Sequence, residues 1–284
     1  MNSSGVGPVG PAPLLRPVRP GFWGQLWRFA LIQVQCCVFP IALVAGLALT
    51  IGVWSVWDPP VARYDVLFGY ALVVQLVLVA MRVETGRELA VICCFHLLGL
   101  GLEIFKTHMG SWGYPDPGLL RIAGVPAFSG FMYASVGSYI CQAFRRFALR
   151  VSHYPAAAMV VLAGCSYANF FTHHWLPDLR VILALAFVAV LWRSRVWFRV
   201  GLRWYWMPLW AAFVLIGAAL WVAENLATLL GAWRYPDQAS GWHLVHVGKW
   251  GSWALLVSLS FALVAAVKQW EGQLEPDGNW PTAD

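Results

Sequence analysis

The chain has 284 residues, 60% of them hydrophobic and only 11% charged, with 18 Trp and a mean hydropathy of +0.65. That balance excludes an ordinary soluble domain. The net charge of +6 comes without any basic run interleaved with aromatics, so it suits anionic lipid headgroups and excludes a nucleic-acid partner.

Residues 1–24 are rich in Pro and Gly and lack the basic start and apolar core of a cleaved signal peptide, which predicts a disordered tail. Apolar windows long enough to cross a bilayer as helices then follow at 29–53, 62–81, 88–109, 125–144, 155–173, 179–192, 207–230 and 247–267. The first contains Pro40 and the sixth is short. The acidic segment 271–284 reads as a second disordered tail. Cys36, Cys37, Cys93, Cys94, Cys141 and Cys165 all lie within the windows without CxxC spacing, so they read as small hydrophobes rather than disulfides or zinc ligands.

Residues 103–116, EIFKTHMGSWGYPD, recur 121 positions later as ENLATLLGAWRYPD at 224–237. Seven of the fourteen positions are identical, and they are Glu, Thr, Gly, Trp, Tyr, Pro and Asp rather than interchangeable aliphatics. Shifting the first four windows by the same distance lands close to the last four. The expected fold is therefore an all-α, polytopic membrane helix bundle with about eight transmembrane helices in a parallel four-plus-four tandem repeat. Its halves are 25–146 and 147–270, related by a pseudo-two-fold axis along the membrane normal.

With both termini on one side, that side carries Arg16, Arg19, Arg28, Arg82, Arg87, Arg145, Arg146, Arg150, Arg193, Arg195, Arg199, Arg203 and Lys268. These are thirteen of the 19 basic residues, so the termini are expected in the cytoplasm and the repeated motifs at the extracytoplasmic face.

Glu103 and Glu224 fall about two turns before the ends of the third and seventh windows, at a depth where a lone carboxylate is costly. Each needs to be neutral or to have a partner. Lys106, one turn from Glu103, is the candidate partner in the first half, whereas Ala227 stands at the matching place in the second. Thr107 and Thr228 lie four residues after each Glu, on the same helix face. His108 follows the first Glu, and the Gly and Pro of the motifs predict segments that leave the helix ends and fold back. These segments bring Trp112, Tyr114 and Asp116, and Trp233, Tyr235 and Asp237, to the same end as candidate binding residues.

Asn225, His173, His174, His243 and His246 crowd that end, with Asn169 one turn from His173 and His96 two turns deeper than Glu103 on the same face. The bland readings are interhelical hydrogen bonds for the polar groups and interfacial anchoring for the Trp and Tyr. Asp58, Arg63 and Asp65, and Asp178 with Arg180, read as ion pairs on the loops of this face. No HExxH and no set of spaced His boxes occurs, so no metal is expected. No Walker, GxGxxG, GxSxG or Asp-rich diphosphate motif occurs either, so no cofactor is expected.

The strings EIFKTHMGSWGYPDP, RIAGVPAFSGFMYASVGSY, NFFTHHWLPDLR and ENLATLLGAWRYPDQ resemble an uncharacterised family of bacterial membrane proteins, domain-of-unknown-function family 817, over roughly residues 25–268. The resemblance implies a multi-span protein of the bacterial cytoplasmic membrane. Locally, Glu103, Thr107, Gly110, Tyr114 and Gly124-Val125-Pro126 also resemble the Glu…Gly…Tyr…Gly-Val-Pro pattern of membrane carotenoid hydratases and small-subunit lycopene cyclases. Trp112 and Tyr114-Pro115 depart from that pattern.

Three functions follow as expectations. The first is acid–base chemistry on a membrane lipid or isoprenoid, with Glu103 and Glu224 lining a shared apolar cavity. The second is a transporter of a small or lipidic solute. The third is an assembly protein with packed halves and exposed motifs. The sequence carries no sign of a particular oligomeric state.

Overall fold

In the computed structural model, which describes residues 21–57 and 59–270, the first apolar window is two helices, α1 (Phe22–Cys36) and α2 (Val38–Val56). Pro40 has no N–H to give the Cys36 carbonyl and its ring crowds that oxygen, so the helix breaks at Cys37. α1 starts at Phe22, inside the segment 1–24 read from the sequence as a tail. Residues 1–20, Asp58 and 271–284, with the expectations that fall on them, lie outside the described residues.

The remaining windows each hold one helix: α3 (Arg63–Ala80), α4 (Gly86–His108), α5 (Ser129–Arg146), α6 (Ala156–Thr172), α7 (Arg180–Val190), α8 (Leu209–Leu229) and α9 (Gly248–Trp270). A capping box starts α4: the Glu88 N–H donates to Thr85 Oγ1 and the Thr85 N–H donates to the Glu88 carboxylate. All six cysteines are free.

The protein is mostly helical, and α2, α3, α4, α8 and α9 are long and apolar enough to cross a membrane. At ~1.5 Å per residue, the eleven residues of α7 reach about half of a ~30 Å hydrocarbon core. Of the eight crossings expected from the sequence, five correspond, among the described residues, to helices that meet the requirement by length and composition. α5 misses on composition for a physical reason. Its Gly130, Ser135, Gly137 and Ser138 are buried, and the helix is enclosed by α1, α2, α4 and α9.

All-α needs a second correction. β1 (Arg121–Ile122) and β2 (Val125–Pro126) form a small hairpin between α4 and α5. β3 (Arg150–Ser152), β4 (Arg195–Val200) and β5 (Arg203–Pro208) form an antiparallel sheet in that order. The β4–β5 turn closes at Gly201, whose φ of +63° no side chain adopts easily.

α4 packs most closely on α5, and α8 on α9. At the second crossing a Cβ on Gly217 would lie 2.8 Å from the Ala254 backbone nitrogen and 2.9 Å from its Cα. Backbone cannot swing aside as a side chain does, so Gly217→Ala is expected to part α8 from α9 and cost about 1–3 kcal/mol. Thermal unfolding in detergent reads the loss, and an unchanged transition would contradict the tight crossing.

Arg63, 5% exposed at the start of α3, ties several elements together. Its Nε donates to Thr50 Oγ1 (3.1 Å) and its Nη1 to Asp116 Oδ2 (3.0 Å) and the Gly231 carbonyl (3.1 Å). Its Nη2 donates to the Leu230 carbonyl (2.6 Å). Those two carbonyls belong to the end of α8, where the helix itself supplies no donor.

Candidate functional site

α4 and α8 both end at a glycine in the left-handed region, Gly110 (φ +70°) and Gly231 (φ +68°). Ser111 N–H returns to the Lys106 carbonyl and Ala232 N–H to the Ala227 carbonyl, each 2.9 Å, which closes the last turns and reverses the chain. The two reversed segments then cross. Gly113 and Arg234 pair as an antiparallel bridge, exchanging two N–H···O bonds of 2.9 Å.

This folding-back carries aromatic donors onto the two carboxylates. Trp112 Nε1 and Tyr114 OH both donate to Glu103 Oε2 at 2.6 Å, and Tyr133 OH donates to Oε1 at 2.7 Å. Tyr235 OH donates to Glu224 Oε1 at 2.5 Å and Trp253 Nε1 to Oε2 at 2.8 Å. Both Glu are buried, 3% and 4% exposed. A Trp N–H can only donate, so Oε2 of each carboxyl is an acceptor. Burial, reinforced by the neighbouring carboxylates, pushes the Tyr114 and Tyr235 phenols well above their ordinary range, so they keep the protons they donate.

Glu103 and Glu224 line one cavity of about 140 Å³. Lys106, Lys249, Arg180 and His173 supply its other ionisable groups, and Ser111 and Ser252 its hydroxyls. Its walls are Leu102, Met132, Phe170, Leu256 and the rings of Trp112, Tyr133, Trp233, Tyr235 and Trp253. Lys106 does not pair with Glu103, contrary to the sequence expectation. Its Nζ lies 3.1 Å from His174 Nε2 and 3.4 Å from His173 Nε2, because the three aromatic donors already occupy the carboxylate. Burial and the nearby ammonium lower the proton affinity of both imidazoles.

Lys249 Nζ sits 4.6 Å from the Tyr235 ring centre and 5.2 Å from that of Trp112. Arg180 pairs with Asp178 at 2.5 Å and donates to Ser252 Oγ at 2.9 Å. The guanidinium holds the Asp178 carboxyl well below the usual carboxylate range.

The other expected residues take structural places. Asn169 accepts from the Leu179 N–H (3.1 Å) and touches Asp178, which positions the Arg180 pair. Asn225 accepts from the Val245 N–H and Thr228 from Trp242 Nε1, pinning the segment before α9. Thr107 Oγ1 is buried without a hydrogen-bond partner and does not line the cavity. His108 is exposed at the end of α4. His96 packs on Phe131 (4.7 Å), away from the cavity. His246 Nδ1 accepts from the Gly248 N–H at the start of α9.

His243 and Asp237 contact each other at the exposed rim (3.7 Å), and Asp116 is the partner of Arg63. Asp65 accepts from the Leu119 and Leu120 N–H groups instead of pairing with Arg63. Tyr133, Trp253, Lys249 and Arg180 complete the cavity and were missed or given other work by sequence reasoning. The 121-residue shift maps Tyr133 to within one residue of Trp253, and Lys249 is a lone ammonium at the start of an apolar window; both were usable signals. Among the described residues, no group of three His, Cys, Asp or Glu gathers to hold a metal.

A second, smaller crevice of about 20 Å³ lies beside the cavity along α4 and α9. Leu102, Tyr133 and Leu256 line both, and Leu98, Gly99, Tyr167, Leu259 and Leu263 line only the crevice. Descending α9, the lining passes from Lys249 and Ser252 through Leu256 to Leu259 and Leu263. Polar chemistry lies at one end and apolar walls lead away from it.

No solved structure matches the chain. An uncharacterised protein of Bacillus subtilis (strain 168), YoaT, is 47% identical over 246 residues, covering 86% of this chain and 92% of that relative. Residues 25–261 match the family described as a protein of unknown function, DUF817, and the chain belongs to that family.

Proposed function

We propose that this membrane protein binds an amphiphilic lipid or isoprenoid with its polar head in the cavity and its chain in the crevice, and that Glu103 and Glu224 exchange protons with that head. The observation that carries the reading is that Leu102, Tyr133 and Leu256 line both spaces. An apolar slot beside a pocket with two buried carboxylates matches a molecule with one wet and one dry end. Perturbable acids inside a cleft are the ordinary tools of proton transfer. Carbocation chemistry, as in the carotenoid enzymes, is the less favoured variant, because Lys106 and Lys249 would repel a cation in the same cavity.

The sequence repeat favours a site built at the junction of two related halves. Gly113 and Arg234, 121 residues apart, pair with each other, an arrangement consistent with a two-fold axis between the halves. Tyr114 and Tyr235 hold equivalent carboxylates. In this reading the axis runs along the membrane normal, the termini are cytoplasmic and the cavity faces the outside. That symmetry also favours a second reading, a transporter whose halves rock about the axis. Polar groups gathered at one end of the path rank it behind the enzyme.

The test is to identify lipids that co-purify with the wild type, Glu103→Gln and Glu224→Gln by mass spectrometry. Gln keeps an acceptor for the Trp N–H and lets the facing Tyr hydroxyl accept, so the fold is expected to survive. A specific amphiphile bound to the wild type, and accumulating unconverted in cells carrying either variant, is the expected result. The same bulk phospholipids in all three would overturn the proposal.

A further inference from the structure

Resting on that reading, the cavity itself selects the chemistry of the head. Lys106, Arg180 and Lys249 enter it from three different helices, α4, α7 and α9. Arg180 is matched by Asp178. Among the described residues, neither lysine forms an ion pair with a carboxylate. Lys106 meets only imidazole nitrogens, and Lys249 rests on the faces of two aromatic rings. Glu103 and Glu224 act on Lys249 through space, but their hydrogen bonds come from Trp and Tyr. The carboxylates therefore have their donors, whereas two ammonium groups, three N–H each, lack an anionic acceptor.

The geometry points to a phosphate-class oxyanion, borne on the amphiphile, as the group that completes the cavity between Lys106, Lys249 and Arg180. Cations from three sides enclose a tetrahedral group with three free oxygens better than a planar carboxylate with two. Ser111 and Ser252 add hydroxyl donors on the same lining. A phosphomonoester that keeps one proton also has an acceptor for it. Glu224 receives two donors in all and has lone pairs left.

The experiment titrates the full-length protein, in a neutral detergent, with inorganic phosphate, short-chain phosphatidic acid and short-chain diacylglycerol. Fluorescence of the Trp residues that line the cavity reports binding, and thermal unfolding checks each variant. Saturable binding of phosphatidic acid is expected, weakened about tenfold or more by Lys106→Gln or Lys249→Gln and lost in the double variant. Lys249→Arg is expected to stay within about threefold of the wild type, since it keeps the charge.

Inorganic phosphate saturating with the same lysine dependence would make the free anion the source; saturation by the lipid alone would make it the headgroup. Diacylglycerol, which has no phosphate, binding as tightly as phosphatidic acid in the wild type would overturn the oxyanion, whatever the variants do. So would a well-folded double variant that binds phosphatidic acid normally. If neutral-headed lipid binds and Leu256→Trp, which fills the junction, abolishes it, the amphiphile reading survives without the oxyanion. If no amphiphile saturates, both fail.

Discussion

Glu103→Leu is expected to destabilise the protein by about 3–5 kcal/mol, against about 1 kcal/mol for Glu103→Gln. Leu fills much of the same volume but leaves Trp112 Nε1, Tyr114 OH and Tyr133 OH without the acceptor they share. Tyr114 is the most affected, because it is buried behind the cavity wall and no water replaces the carboxylate there. Trp112 and Tyr133 line the cavity and recover part of the loss through solvent. The two variants differ little in size, so comparing them isolates hydrogen bonding from packing. A thermal transition roughly 10 °C lower for Leu than for Gln is expected. Equal transitions would show that the aromatic clamp on Glu103 contributes nothing to stability.

The second large effect is at Arg63. Arg63→Leu removes the donors that serve the Leu230 and Gly231 carbonyls and leaves Thr50 and Asp116 without their shared partner. The expected cost is again about 3–5 kcal/mol, the range for breaking a buried charged network from one side. Arg63→Lys is expected to recover less than half of it, because a single ammonium cannot follow the spread of the guanidinium fork. The α8 end and the Ala232–Asp237 segment are predicted to lose hydrogen-exchange protection in both variants. Protection unchanged at Gly231–Trp233 in Arg63→Leu would contradict the network.

Hydropathy placed one window over each of α3 to α9 and a single window over α1 and α2, but it carries no information on how each helix packs. It reports average apolarity, so it finds α4 and α8 cleanly, whereas α5 earns its place through buried Ser and Gly against its neighbours. The Pro40 break was visible as a residue but not as two helices, since a window of apolar residues reads through it. β4 and β5 were hidden because their Trp and Arg look like an interfacial loop; only pairing across Gly201 makes them strands. At the site, the repeated Glu, Trp and Tyr were legible because two copies of one string fixed their importance. Which donor reaches which oxygen was not. Tyr133 and Trp253 come from other helices, and no spacing along the chain encodes their approach to Glu103 and Glu224. Lys106 was misassigned because closeness along α4 does not outweigh three aromatic donors delivered by the reversed segment and α5.

The most direct test of a single amphiphile site shared by both carboxylates is an experimental density map of the protein in lipid nanodiscs. Elongated non-protein density is predicted, its head between Glu103, Glu224 and the two lysines and its chain following Leu256 towards Leu263. A cavity without such density, with ordered lipid only on the outer surface of the bundle, would contradict it.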